Sequence, residues 1–139
     1  MNKIPVIFGR NYAPGSLAIQ VFTWSRWSHV GIVYGDKVIE ARGFHGVVIT
    51  PIEEFKARYT HWEVAHAPVA CSIDKAYERA LSQVGKSYDW WAIYGIVLRT
   101  GWDKEDAWVC SELYAYASGF VRHDRTARFT PEDVWKISQ

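Results

Sequence analysis

The chain has 139 residues, 49% of them hydrophobic and 22% charged, with a formal net charge of +1. That balance fits one globular domain over residues 1–139, with enough apolar side chains for a core without disulfide staples, and it excludes a disordered chain. A charge so near zero removes the electrostatic case for a nucleic-acid partner.

Eight Trp and eight Tyr are many for a domain this small. Some of these rings must be part-exposed, which favours a groove or contact surface lined with aromatics. The opening "MNKIPVIFGRNYAPG" carries one lysine and a short apolar stretch broken by Pro5, too little for a signal-peptide core. The longest apolar run, "WWAIYGIVL" over 90–98, falls well short of a membrane span. These features predict a soluble, cytoplasmic protein in a reducing compartment, with export by another route or association with a virion left open. They say nothing of oligomeric state.

In chain order, "GSLAIQVFTW" (15–24) is β-like. "SHVGIVY" (28–34) and "KVIEA" (37–41) flank Gly35-Asp36, a two-residue hairpin signal. "GVVIT" (46–50) reads as a strand, Pro51 opens a short helix, and "HWEVAHA" (61–67) alternates like a strand that stops at Pro68. Ser72 then caps a helix whose apolar face is Ile73, Ala76, Tyr77, Ala80, Leu81 and Val84, with Gly85 as its stop. A second, all-apolar helix is predicted over 89–101, a third from Cys110 to about Ser118, and a short last one from Thr130 with Pro131 at its first position. Strands come first and helices last, which predicts an α+β fold with an antiparallel sheet packed on helices.

Cys110 has two readings: a small apolar core residue, or a nucleophile. A cysteine in the first turn of a helix meets unpaired N–H groups that stabilise thiolate and can also form an oxyanion hole. Cys71 lies just before a helix cap, has no such setting and reads as structural, although one disulfide between the two cysteines is open. A thiol nucleophile needs an imidazole within reach. His123 is a poor candidate, because the helix carries the chain away from Cys110 and few residues remain for the return. His61 and His66 fall on opposite faces of a strand, and no H-E-x-x-H or paired C-x-x-C occurs, so no metal or organic cofactor is expected.

His29 has the better setting. Strand alternation puts it on one face with Gly31 and Val33, and Gly31 leaves space beside the ring. A two-residue turn at Gly35-Asp36 pairs Tyr34 with Lys37 and Gly31 with Glu40, placing Glu40 diagonally from His29 on the same face. A three-residue loop would turn Glu40 away. His45, of opposite parity and beyond Gly43, is the competing third residue.

"GKSYDWW…VCSELYAYASGF" resembles the nucleophile region of the NlpC-type, papain-like cysteine peptidases. The matches are Gly85, Tyr88, Cys110, Ser111 and Leu113; Val109 stands where that family often has Asp. In the standard family the histidine strand follows the cysteine, but "SHVGIVYGDKVIEA" precedes it here. That order, together with "FTPEDVW" near the end, resembles the circularly permuted YiiX-like branch. The resemblance implies a permuted papain-like fold and a hydrolase that cleaves amides through an acyl-enzyme. Cys110 would attack, His29 would move the proton and Glu40 would orient it, with Tyr88 and Ser111 on the oxyanion and substrate side. It also implies a cell-wall peptide as substrate. The permuted relatives include lipid amide or ester hydrolases and acyltransferases, and a non-catalytic binding module is the third reading.

Overall fold

Pro5 reads as a break in the sequence, yet Asn2–Arg10 is a strand, β1, lying between two others in the sheet. The computed structural model describes residues 2–10, 27, 29–42, 46–86, 110–119 and 131–139, with backbone alone for 110–112 and 131–133. The predicted strand at 15–24, the predicted helix over 89–101, and Tyr88, His45, His123 and Thr130 lie outside these residues.

The other strands are β2 (His29–Tyr34), β3 (Lys37–Arg42), β4 (Gly46–Pro51) and β5 (His61–Val69). They form one antiparallel sheet in the order β4-β3-β2-β1-β5. Prolines survive in it for a definite reason. β1 pairs with β5 along its whole length but with β2 only from Val6 to Gly9, so at Pro5 a single neighbour flanks the strand. Pro68 lies opposite Lys3 on the outermost strand, where a missing N–H can face outward. β5 therefore runs through Pro68 to Val69 rather than stopping there.

The four helices among the described residues are α1 (Ile52–Arg58), α2 (Ile73–Ser82), α3 (Cys110–Ser118) and α4 (Pro131–Ile137). Alternation divides them between the two faces of the sheet. Ile4, Val6, Phe8, Val30, Ile32, Ile39, Ala41 and Val47 point to one face. There they meet Ala76 and Ala80 of α2, Leu113, Tyr114 and Ala117 of α3 and Val134 of α4. Ile7, Val33 and Val38 point to the other, under Phe55 of α1, with Ile52 and Tyr59 beside it. α1 is held there from its start, since the Ile52 N–H donates to the Asp36 carbonyl in the hairpin turn, 2.9 Å away.

α2 ends at Ser82, short of Gly85, and of its predicted apolar face Ile73 and Val84 are exposed. The chain leaves the helix because Gly85 has another partner. Its N–H donates to the Val47 carbonyl on β4, the Val47 N–H donates back to Lys86, and φ at Gly85 is +95°. Among the described residues no helix is long and apolar enough to cross a membrane.

Candidate active site

The Gly35–Asp36 turn has Gly35 at φ +62° and pairs Tyr34 with Lys37, Val33 with Val38 and Ile32 with Ile39. Continued one step, this register sets Gly31 against Glu40, next to His29 on the same face. The two side chains meet there. His29 Nε2 lies 3.0 Å from Glu40 Oε1, with Glu40 wholly buried and His29 only 8% exposed. Gly31 does not leave open space, as the sequence suggested. A Cβ there would collide with the Val38 side chain, so the glycine lets β3 close down on β2.

A buried carboxylate needs more than one partner. The second is Arg58, at the end of α1, whose Nη2 donates to Glu40 Oε1 at 2.7 Å and Oε2 at 2.6 Å. Burial by itself would push the Glu40 carboxyl up. The hydrogen bonds and charges of His29 and Arg58 outweigh it and bring the group from 4.5 down to about 2. Glu40 is therefore ionised throughout the neutral range. Nothing in the spacing of the sequence ties residue 58 to residue 40. The available signal was indirect: a glutamate inside "VIEA" that faces inward requires a cation.

An aromatic frame surrounds this trio. The His29 ring stacks with Phe55 at 5.7 Å and with Tyr59 at 5.9 Å, and the Arg58 guanidinium sits over both rings at 5.2 and 5.4 Å. Gly9 of β1, opposite His29, is the floor. A Cβ added there would stand 2.6 Å from the Tyr59 ring, so only glycine lets the ring lie so close to the strand.

Cys110 opens α3 as described, and its side chain, like that of Ser111, lies outside the described residues. The helix is anchored at its other end. The Ala70 N–H donates to the Ser118 carbonyl at 2.7 Å and the Tyr114 hydroxyl donates to the Pro68 carbonyl at 2.5 Å. These bonds fix the C-terminal end of α3 where β5 finishes. About 12 Å of helix then separates Cys110 from that end, and β2 and β3 lie against α3 along the way. His29 opens β2, at the sheet end away from the finish of β5, with its side chain on the α1 face and α3 packed against the opposite one. Cys71 is a free, half-buried thiol whose Sγ lies 3.7 Å from the carbonyls of Ala117 and Ser118. Its S–H can donate to either carbonyl, which suits a structural residue.

Residues 5–115 match the family model described as permuted papain-like amidase enzyme, YaeF/YiiX, C92 family. The chain belongs to this family. Its fold agrees with that of the crystal structure of YiiX from Escherichia coli O157:H7, with a TM-score of 0.59 and 25% sequence identity over 85% of this chain and 67% of YiiX. No curated protein matches the sequence significantly. As a member of a permuted papain-like amidase family, the chain is an amide hydrolase of cysteine-peptidase type. YiiX is described as a metalloprotein. Among the described residues of this chain, no group of three or more His, Cys, Asp or Glu could hold a metal ion.

Proposed function

We propose that this amidase cleaves an amide bond in the stem peptides of bacterial cell wall, with Cys110 as nucleophile, His29 as base and Glu40 orienting the imidazole. The observation that carries the reading is the buried 3.0 Å contact between His29 Nε2 and Glu40. Glu40 is an anion and can only accept, so Nε2 carries the hydrogen and Nδ1 is the nitrogen left to take the thiol proton. The Cys110 thiolate adds to the amide carbonyl, and backbone N–H groups at the start of α3, with Tyr88 and Ser111, bind the oxyanion and substrate. The imidazolium then protonates the leaving amine as the C–N bond breaks, leaving a thioester. Water attacks the thioester while His29 takes its proton, and the acid and the thiol are released.

The cell-wall substrate rests on the likeness of the Cys110 segment to NlpC-type peptidases, and the aromatic excess suits a groove for an extended ligand. The test is digestion of purified peptidoglycan, with mass spectrometry of the soluble products for wild type beside Cys110→Ala. New peptide fragments are expected from wild type alone. Free fatty acid released from a lipid amide, with no cell-wall product, would move the substrate to lipids. Iodoacetamide should label Cys110 well ahead of Cys71 at neutral pH, and equal rates would sink the nucleophile assignment.

A further inference from the structure

We propose that Arg58 is a positioning residue for the His29 base: its guanidinium holds Glu40 in place and offsets the carboxylate charge, so that Glu40 orients the imidazole without trapping a proton on it. The inference rests on the catalytic reading of His29 and Glu40, and it deepens that reading.

The geometry makes one unit of the three groups. Glu40 Oε1 is shared between His29 Nε2 at 3.0 Å and Arg58 Nη2 at 2.7 Å, while Oε2 is taken by Arg58 at 2.6 Å. Glu40 has no exposed surface, so the attraction between these charges is weakly screened. A bare buried carboxylate beside a histidine would favour the imidazolium strongly. Papain-like chemistry needs the opposite tendency at two points. The imidazolium must give its proton to the leaving amine, and neutral imidazole must later take one from water. With Arg58 across it, the carboxylate remains a strong acceptor, but its field at the ring is largely cancelled. The ring also cannot turn away, because Phe55 and Tyr59 flank both it and the guanidinium.

The charged groups of β3 and α1 nearest this trio have partners of their own, Glu53 with Lys56 at 3.6 Å among them. Arg42, two residues beyond Glu40 on β3, pairs with Glu54 of α1 at 3.9 Å, and Lys56 of α1 lies over Trp62 of β5 at 4.4 Å. A titratable neighbour among the described residues is the Tyr59 phenol, stacked on the His29 ring. Among the described residues, Arg58 is thus the cation in direct contact with Glu40 of the His29–Glu40 pair.

The test compares wild type with Arg58→Gln, which can still donate to Glu40 but carries no charge, and with Arg58→Lys, which keeps the charge and loses the planar fork. The primary readout is the His29 ring titration by NMR, assigned against His29→Gln. Arg58→Gln should raise the His29 midpoint by about one pH unit, while Arg58→Lys stays within a few tenths of wild type. In turnover, Arg58→Gln should lower kcat roughly tenfold with KM nearly unchanged, the mark of a group acting through the base. An unmoved midpoint in folded Arg58→Gln would overturn the proposal. So would an upward shift of half a unit or more in Arg58→Lys, which decides the matter even where Arg58→Gln does not fold. The titration needs no substrate. A chain that hydrolyses no amide but shows the shift rejects the proposed function and keeps the coupling; a chain that hydrolyses cell-wall peptides without the shift does the reverse.

Discussion

On one face of the sheet, Ile4, Val6, Phe8, Val30 and Ile32 meet α2, α3 and α4 through side chains that are almost wholly apolar. On the other, a carboxylate, an imidazole and a guanidinium share the space under the seven residues of α1. The first face is stabilised by area and close packing, which do not respond to pH. The second is stabilised by pairing, and each member is an expense to the fold if its partner is lost. The same strand, β2, serves both: Val30 and Ile32 fix it to the helices while His29 meets Glu40 on the reverse side. A rigid apolar layer is what lets the polar layer hold its geometry.

The largest expected effect breaks the apolar face. Ile32→Ala removes a side chain with 1% exposure and leaves a cavity against α3, so stability should fall by about 4 kcal/mol. The loss should be the same at pH 3 and pH 7, as measured by urea unfolding at both. A loss that changed with pH would show that the apolar layer is coupled to the charged one.

Glu40→Gln breaks the other face. The folded carboxyl sits at about 2 against an ordinary 4.5, so the folded state binds fewer protons than the unfolded state between these values. Glu40 therefore stabilises the fold above pH 4.5, and this contribution is lost as pH falls toward 2. Wild type should exceed Glu40→Gln by on the order of 3 kcal/mol at pH 7, and the gap should close on acidification. Turnover should also fall strongly, because an amide holds the imidazole less firmly. A gap that persists at pH 2 would mean that shape, not charge, is what Glu40 supplies.

What the sequence made legible follows from the same division. The His29–Glu40 contact could be read ahead because a two-residue turn fixes parity, and parity alone decides which residues share a face. The Ser72 cap was readable because its partner is local. β1 was not, since Pro5 normally rejects a strand interior, and only the ladder on each side shows that it lies where β1 has a single neighbour. Arg58 and Tyr59 were also hidden. Their place is set by the docking of α1 through Ile52 and Phe55, a tertiary fact with no periodicity to announce it.

Gly9→Ala tests how tightly the polar face is framed. The new methyl would stand 2.6 Å from the Tyr59 ring, so the ring must move off the strand and away from His29. A loss of about 2 kcal/mol is expected from overpacking. In a double-mutant cycle, Tyr59→Ala should relieve most of it, leaving Gly9→Ala nearly neutral in that background. Purely additive losses would show that the clash is taken up by the backbone instead.

The smallest effect belongs to the cap of α2. Ser72 is extended at φ −65° and ψ 155°, and its hydroxyl accepts from the Lys75 N–H at 3.1 Å on an exposed turn. Ser72→Ala removes that acceptor and leaves the N–H to water, for a loss of about 1 kcal/mol. The helix should stay docked, because Ala76 and Ala80 hold it on the apolar face and the exposed Lys75–Glu78 pair adds little to that. Ser72→Asp should restore the cap at neutral pH, where a carboxylate also suits the helix start. Neither change should move the His29 titration, since α2 lies on the far side of the sheet. If Ser72→Ala shifts that titration, or costs more than about 3 kcal/mol against the roughly 1 kcal/mol of a cap, then the first turn of α2 reaches through the sheet and the two faces are not independent.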